Sequence, residues 1–180
     1  MRVIAGSARG LVLTAPRGRA TRPITDRVKE TLFGILGECV PDARMVDLYA
    51  GSGAIGIEAL SRGAATADFV EHASQALAAL RANLERTRLG ADARVHPGEV
   101  ETFLAAGERG PWDLAILDPP YELSAIVAPL RGLLPHMVPG ATVVLKHFWR
   151  TELPEVEGMV NDRQRRFGET MLTFFTVKGT

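Results

Sequence analysis

Apolar residues along the chain fall into short runs of two different spacings, and the spacings alternate. "RMVDLY" (44–49), "ADFVEH" (67–72), "ARVHP" (93–97), "WDLAIL" (112–117) and "ATVVLKHF" (141–148) read as strands. Helical spacing fills the gaps. "AIGIEALSRG" (54–63) is stopped by Gly63, and "ASQALAALRANLERTRLG" (73–90) sets Leu77, Leu80 and Leu84 on one face before Gly90. "EVETFLAAG" (99–107) is a short helix, and "LSAIVAPLRGLL" (123–134) is a helix that its proline bends or shortens. An earlier helix, from Asp26 to about Glu38, carries Val28, Leu32, Ile35 and Leu36 on one face, with Thr25 as its N-cap.

The two ends of the chain depart from this rhythm. Residues 2–5 and 11–14 are apolar stretches joined by "GSARG", which predicts a hairpin, and "TAPRGRATRP" (14–23) reads as loop. Residues 163–177 predict a closing hairpin that turns near Phe167 and Gly168. Alternating strands and helices imply an α/β fold, a mostly parallel sheet with helices on both faces. The expected division is a basic extension over 1–22 and a main domain over 23–180.

Composition narrows the class. The 180 residues are 46% hydrophobic and 23% charged, as in a globular protein, and no apolar run approaches a membrane span. "MRVIAGSARG" lacks the apolar core of a secretory signal, and one cysteine, Cys39, excludes an intrachain disulfide framework. A cytoplasmic protein is the expectation. Net charge is +0, but residues 1–30 hold seven basic side chains against Asp26 and Glu30. Arg9, Arg17, Arg19 and Arg22 therefore make either a basic arm for a polyanion or a solvated terminus.

"VDLYAGSGAIGIEAL" (46–60) places Gly51, Gly53 and Gly56 where the first strand meets its crossover helix. Such a turn lets a ligand approach bare backbone at a helix N-terminus. Asp47 decides between ligands. A carboxylate there repels the pyrophosphate of NAD, whereas it can pair with the ammonium of S-adenosylmethionine, directly or through water. Glu71, at the end of the next strand, suits the two ribose hydroxyls. Glu99, after the third strand, either meets the adenine amine or is an exposed acid.

"LDPPY" (117–121) follows the fourth strand, which should lie beside the first. Asp118 and Pro119 each precede a proline, so both are biased towards extended backbone and the segment is stiff. An exocyclic base amine is a poor nucleophile because its lone pair is delocalised. The Asp118 carboxylate and the carbonyl of Pro119 can accept its hydrogens and favour a pyramidal nitrogen. Tyr121 can stack on a base removed from its helix. Alone, the tetrapeptide also fits a capped strand end; after D-x-x-x-G-x-G it fits amino-group methylation.

The blocks "MRVIAGSARGLVL", "TRPITDRVKETLFGIL", "VDLYAGSGAIGIEALSRGA", "LDPPY" and "FGET" together resemble the RsmD-type 16S rRNA guanine-N2 methyltransferases of bacteria. The resemblance runs from Met1 into the final hairpin. It implies a Rossmann-like class I methyltransferase fold with a seven-stranded sheet and a small N-terminal hairpin. It also implies S-adenosylmethionine as methyl donor and one guanine of an assembled or assembling small subunit as acceptor. Asp47, Gly51 and Gly53 carry over as cofactor turn, Glu71 as ribose ligand, and Asp118, Pro119 and Tyr121 as catalytic motif. Glu99 and Phe167 depart from that family's more frequent aspartate and tyrosine.

Other residues carry less. His72, His96, His136 and His147 show no metal-ligand spacing, so no metal is expected. Trp112 and Trp149 read as core or rim, and "RQRR" (163–166) as either a phosphate contact or a solvated edge. Two rival functions share the motifs: a DNA adenine-N6 methyltransferase, for which 180 residues leave little room to read sequence, and a non-catalytic RNA-binding module, against which Asp118 speaks.

Overall fold

A computed structural model describes residues 1–16, 24–107, 109–120 and 124–179. Seven strands form one sheet in the order β3-β2-β1-β4-β5-β7-β6. The strands are β1 (Arg44–Leu48), β2 (Thr66–Glu71), β3 (Ala93–Pro97), β4 (Trp112–Leu117), β5 (Met137–Phe148), β6 (Met159–Phe167) and β7 (Thr170–Val177). β1 to β5 are parallel, while β7 runs antiparallel to both β5 and β6. Five helices pack on the two faces: α1 (Asp26–Leu36), α2 (Ala54–Ser61), α3 (Ser74–Thr87), α4 (Val100–Ala105) and α5 (Ser124–Leu133). This is the expected α/β architecture.

The period-2 alternation of each strand divides the core in two. Met45, Leu114, Ile116, Val144, Leu172 and Phe174 face the side of α1, α2 and α3, whereas Val46, Leu48, Ala115, Leu117, Val143 and Leu145 face α4 and α5. Strands buried on both faces read as continuous apolar runs, which is why β1, β2 and β4 stand out in the sequence.

Several boundaries differ from expectation, each for a local reason. β5 begins at Met137 rather than 141, because the Pro139-Gly140 pair lies in an irregularity where the register shifts between Trp112 and Leu114. β6 begins at Met159 rather than 163. It is an edge strand whose residues 160–166 are exposed, and the register shift between Asn161 and Arg163 breaks its alternation. α3 stops at Thr87 rather than 90, because Arg88 takes the left-handed conformation that Gly90 was expected to supply. Gly37, at φ 45°, ends α1 at Leu36, and the Thr25 side chain accepts from the N–H of Val28 as its N-cap.

The N-terminal hairpin is shorter and better anchored than expected. One bridge joins Arg2 to Val12, and the turn between them presses on α2. Glu58 of α2 is fully buried; it accepts from the N–H groups of Ile4 and Ala5 and pairs with Lys29 at 3.1 Å. The Lys29 ammonium also donates to the carbonyl of Arg2. A buried charge persists only when its partners satisfy it, so residues 1–14 are part of the packed body. Among the described residues no helix is long and apolar enough to cross a membrane.

Candidate active site

β1 leaves the core at Leu48, and the chain turns sharply there. Tyr49, Gly51 and Gly53 all take positive φ, at 66°, 57° and 78°. For an aromatic residue this conformation is uncommon. Tyr49 is half-buried and its hydroxyl donates to Glu101; burial and the acids Glu101 and Glu99 push its hydroxyl pKa up.

The glycines differ in what they serve. A Cβ on Gly53 would lie 2.2 Å from Leu80 Cδ1, and one on Gly56 2.3 Å from Phe69 Cε1, so both allow α2 to pack closely. A Cβ on Gly51 would meet no protein atom within 4 Å, so that face of the turn is open to a ligand.

Asp47 and Glu71 brace this turn from below. Asp47, 1% exposed, accepts from the Gly56 N–H at 3.0 Å. Burial pushes its carboxyl up to about 7, opposed by the Gly56 hydrogen bond and reinforced by the charges of Asp118 and Glu71. Glu71 accepts from the N–H of Gly51 and from that of Ala73, both at 2.8 Å, so it ties the first turn to the start of α3. His72 stands between two acids, its Nδ1 3.7 Å from Glu71 and 3.9 Å from Glu99. The Glu99 side chain is 63% exposed, and its backbone caps α4. A cavity of about 270 Å³ beside β3 and α4 includes Glu99 in its lining but none of Asp47, Gly51, Glu71 and Asp118.

Asp118 leaves β4 beside β1, where its N–H donates to the carbonyl of Leu48 at 3.3 Å. Pro119 is buried and Pro120 exposed. Both oxygens of the Asp118 carboxylate lie 2.7 Å from Lys146 Nζ. Burial pushes the Asp118 carboxyl up, and the Lys146 charge and its hydrogen bonds oppose this.

The sheet thus gathers Asp47, Gly51, Gly53, Glu71 and Asp118 at the carboxyl ends of adjacent strands, with Glu99 one strand further out. Arg9 is not among them. Its neighbour Ala8 donates to Ser61 Oγ at the far end of α2 from the glycine turn. Tyr121, Arg17, Arg19 and Arg22 lie outside the described residues. Thr14, however, exchanges hydrogen bonds with Asn83, which also donates to the carbonyl of Ser52 in the turn, so the chain has returned to this end of the sheet by residue 14.

Lys146 was missed in the sequence, although a lysine inside "ATVVLKHF" at the parity of buried Val144 was a usable signal. Arg163 and Arg165 gain meaning from register. Lys146 pairs with Leu172 and Leu172 with Arg165, while Val144 pairs with Phe174 and Phe174 with Arg163. Opposed residues share a face, so these exposed arginines lie on the face of Asp118 and Lys146. Trp112 is core, with its indole N–H donated to Asp68 at 2.9 Å. Trp149 carries the guanidinium groups of Arg150 and Arg166 against its ring, 4.7 and 3.6 Å from the centroid. Among the described residues no group of three or more His, Cys, Asp or Glu could hold a metal ion.

The chain is similar to several known proteins. A family model described as "Conserved hypothetical protein 95" matches residues 1–176. "Putative rRNA methyltransferase YlbH" of Bacillus subtilis is 37% identical over 184 residues, covering 99% of this chain and 100% of YlbH. "Ribosomal RNA small subunit methyltransferase D" of Escherichia coli K12 is 41% identical over 135 residues, 74% of this chain and 63% of that protein. The solved structure of yhhF from Escherichia coli is 31% identical, with a TM-score of 0.88 over 99% of this chain and 98% of its own.

Proposed function

The chain belongs to the Conserved hypothetical protein 95 family, and from its likeness to rRNA methyltransferases and the geometry of its strand ends we propose that it transfers a methyl group from S-adenosylmethionine to the exocyclic N2 amine of one guanine in 16S rRNA. The membership agrees with the RsmD-type resemblance of its five sequence blocks. The observation that carries the reading is the position of Asp118, a stiffly held carboxylate one strand away from an open glycine turn.

The residues present suit this donor. Asp47, Glu71 and Glu99 gather acidic groups around the turn, a set that fits an ammonium, hydroxyls and an amine and disfavours a pyrophosphate. Gly51 and Gly53 bring backbone close, Glu71 takes the ribose hydroxyls, Asp47 serves the ammonium, and Glu99 meets the adenine. S-adenosylmethionine, when bound, supplies an electrophilic methyl group on a sulfonium.

The chain's own part lies on the acceptor. Asp118 and the Pro119 carbonyl receive the two hydrogens of the amine, which favours a nitrogen with its lone pair available for the methyl carbon. That gain is realised as nitrogen becomes cationic in the transition state, where a fixed acceptor counts most. The nitrogen then loses a proton, so no strong base is needed beforehand. Tyr121 stacks on the displaced base.

Binding of the RNA falls to cations. Arg17, Arg19 and Arg22 follow Thr14 in the sequence, and Arg163 and Arg165 extend the face of Asp118 and Lys146 outward. Arg9 contributes further from the amine. A basic rim around acidic binding groups suits a polyanion that presents one base inward. The work is placed in the cytoplasm, on assembled or assembling small subunits.

Incubating the protein and labelled donor with subunits lacking the modification, free rRNA and DNA tests this reading. Label in the 16S rRNA of subunits is expected; label confined to DNA would favour an adenine methyltransferase instead.

A further inference from the structure

Lys146 sits on β5 directly after the apolar residues 143–145 and before the buried His147. Leu117 is opposite Leu145, so Asp118 and Lys146 occupy the next level of two parallel neighbours and project to one face. The side chains of Lys146 and Asp118 are only 12% and 26% exposed, respectively. Taking such a pair from water costs several kcal/mol per ion in general, and an apolar pair of similar volume is often at least as stable. Stability alone is therefore a poor reason for a lysine in this strand. Its ammonium points instead at the acid of the D-P-P-Y segment, with both carboxylate oxygens at 2.7 Å.

A carboxylate offers about four lone-pair sites. Lys146 engages one on each oxygen, which leaves acceptor capacity on both. A single cation bonded to both oxygens also fixes the plane of the group. We propose that Lys146 is a positioning residue for methyl transfer, clamping the Asp118 carboxylate as an anion in one orientation so that its remaining lone pairs receive the target amine. This inference rests on the reading of Asp118 as the amine's acceptor.

Burial of Asp118 is what the clamp opposes. Asp47 on β1 is near enough to feel the charges of both Asp118 and Glu71. Burial already favours protonated Asp118, and Lys146 is the opposing cation. A protonated Asp118 could not accept a hydrogen from the amine as a charged group. Removing the lysine charge should raise the protonation midpoint of Asp118 by about one to three pH units. Activity is lost as pH falls through that midpoint, so the acid limb of turnover moves to higher pH.

The test compares Lys146→Met and Lys146→Arg with the unmodified protein. Three quantities are read: kcat against pH at saturating donor and RNA, donor affinity by calorimetry, and the Asp118 carboxyl carbon by NMR. The carbon is assigned with Asp118→Asn. Saturating donor separates this limb from titration of Asp47, which acts on donor affinity. Lys146→Met should bind donor within about twofold of the original, and below its displaced limb kcat should fall about tenfold per pH unit. Its Asp118 carbon should titrate about one to three units higher, and Lys146→Arg should restore both. Should Lys146→Met fail to fold, Lys146→Gln keeps a donor without the charge and gives the same comparison. An unmoved Asp118 titration, or a kcat profile equal to the original, would overturn the clamp. The carboxyl titration needs no RNA, so absence of methyl transfer by the unmodified protein would defeat the functional reading and leave the clamp to be judged by NMR.

Discussion

Glu71 at the end of β2 holds the N–H of Gly51 at 2.8 Å, so the acid expected to serve a ribose also shapes the turn on which the ribose would rest. Its other oxygen holds Ala73. Glu71→Ala therefore strands two backbone donors. A fully buried donor left unpaired costs about 1–3 kcal/mol, and these two bonds are only part-buried, so the loss for each should lie at the low end of that range. Thermal unfolding should detect that loss, and calorimetry should detect weaker donor binding. A variant as stable as the original that binds donor normally would remove Glu71 from both roles.

Gly51 and Gly53 should fail in different ways. An added methyl at Gly53 meets Leu80 at 2.2 Å, so Gly53→Ala should destabilise by about 1–3 kcal/mol through overpacking, with strain from its φ of 78° in addition. Gly51→Ala carries only the conformational strain, about 1–2 kcal/mol, because its methyl points into open space. Donor affinity of the folded Gly51→Ala protein should nevertheless drop sharply. Urea denaturation and calorimetry on the pair separate these effects, and retained donor binding by Gly51→Ala would mean that the ligand does not cross this turn.

Asp47 has a measurable pH signature. Its folded pKa of about 7 lies above the ordinary carboxyl value. Between roughly pH 4 and 7 the folded state therefore keeps a proton that the unfolded state has lost, and this residue's contribution to stability declines as pH rises across that window. Asp47→Asn should flatten that decline, seen as a difference between the two proteins in urea denaturation at several pH values. Donor binding should run the other way in the original protein, strengthening as Asp47 ionises around pH 7, and should be nearly flat in the variant. Parallel pH profiles in both measurements would show that Asp47 titrates elsewhere.

How far the sequence revealed this arrangement depended on burial. β1, β2 and β4 are covered on both sides and announce themselves as apolar runs; β6, exposed on the sheet edge and broken by a register shift, was legible only from Arg163. The chemistry followed the same rule. Asp47, Gly51, Glu71 and Asp118 are tied to strand ends, where local pattern fixes position. Lys146 acquires its role from a neighbour on another strand, and the Lys29–Glu58 pair joins residues 29 apart. Pairings of that kind depend on strand order and packing, which local spacing does not encode. The N-terminal arginines looked like one basic arm because charge can be counted, whereas the packing that carries Arg9 away from the turn cannot.

Arg163 and Arg165 should bind RNA through phosphates. Arg163→Glu with Arg165→Glu should leave donor affinity and stability near their original values, since both residues are exposed. Affinity for small subunits should fall, and the slope of log affinity against log salt should shrink by about one per lost contact. An unchanged salt slope would return β6 to a solvated edge.

The most direct measurement follows the methyl group itself. Subunits lacking the modification are incubated with labelled donor and either the unmodified protein or Asp118→Ala, and the nuclease-digested 16S rRNA is read by mass spectrometry. One N2-methylguanine is expected with the unmodified protein. With Asp118→Ala that product should fall by about a hundredfold or more, while calorimetry finds donor binding largely intact. Methyladenine as the product, or N2-methylguanine formed by Asp118→Ala at the original rate, would contradict the account.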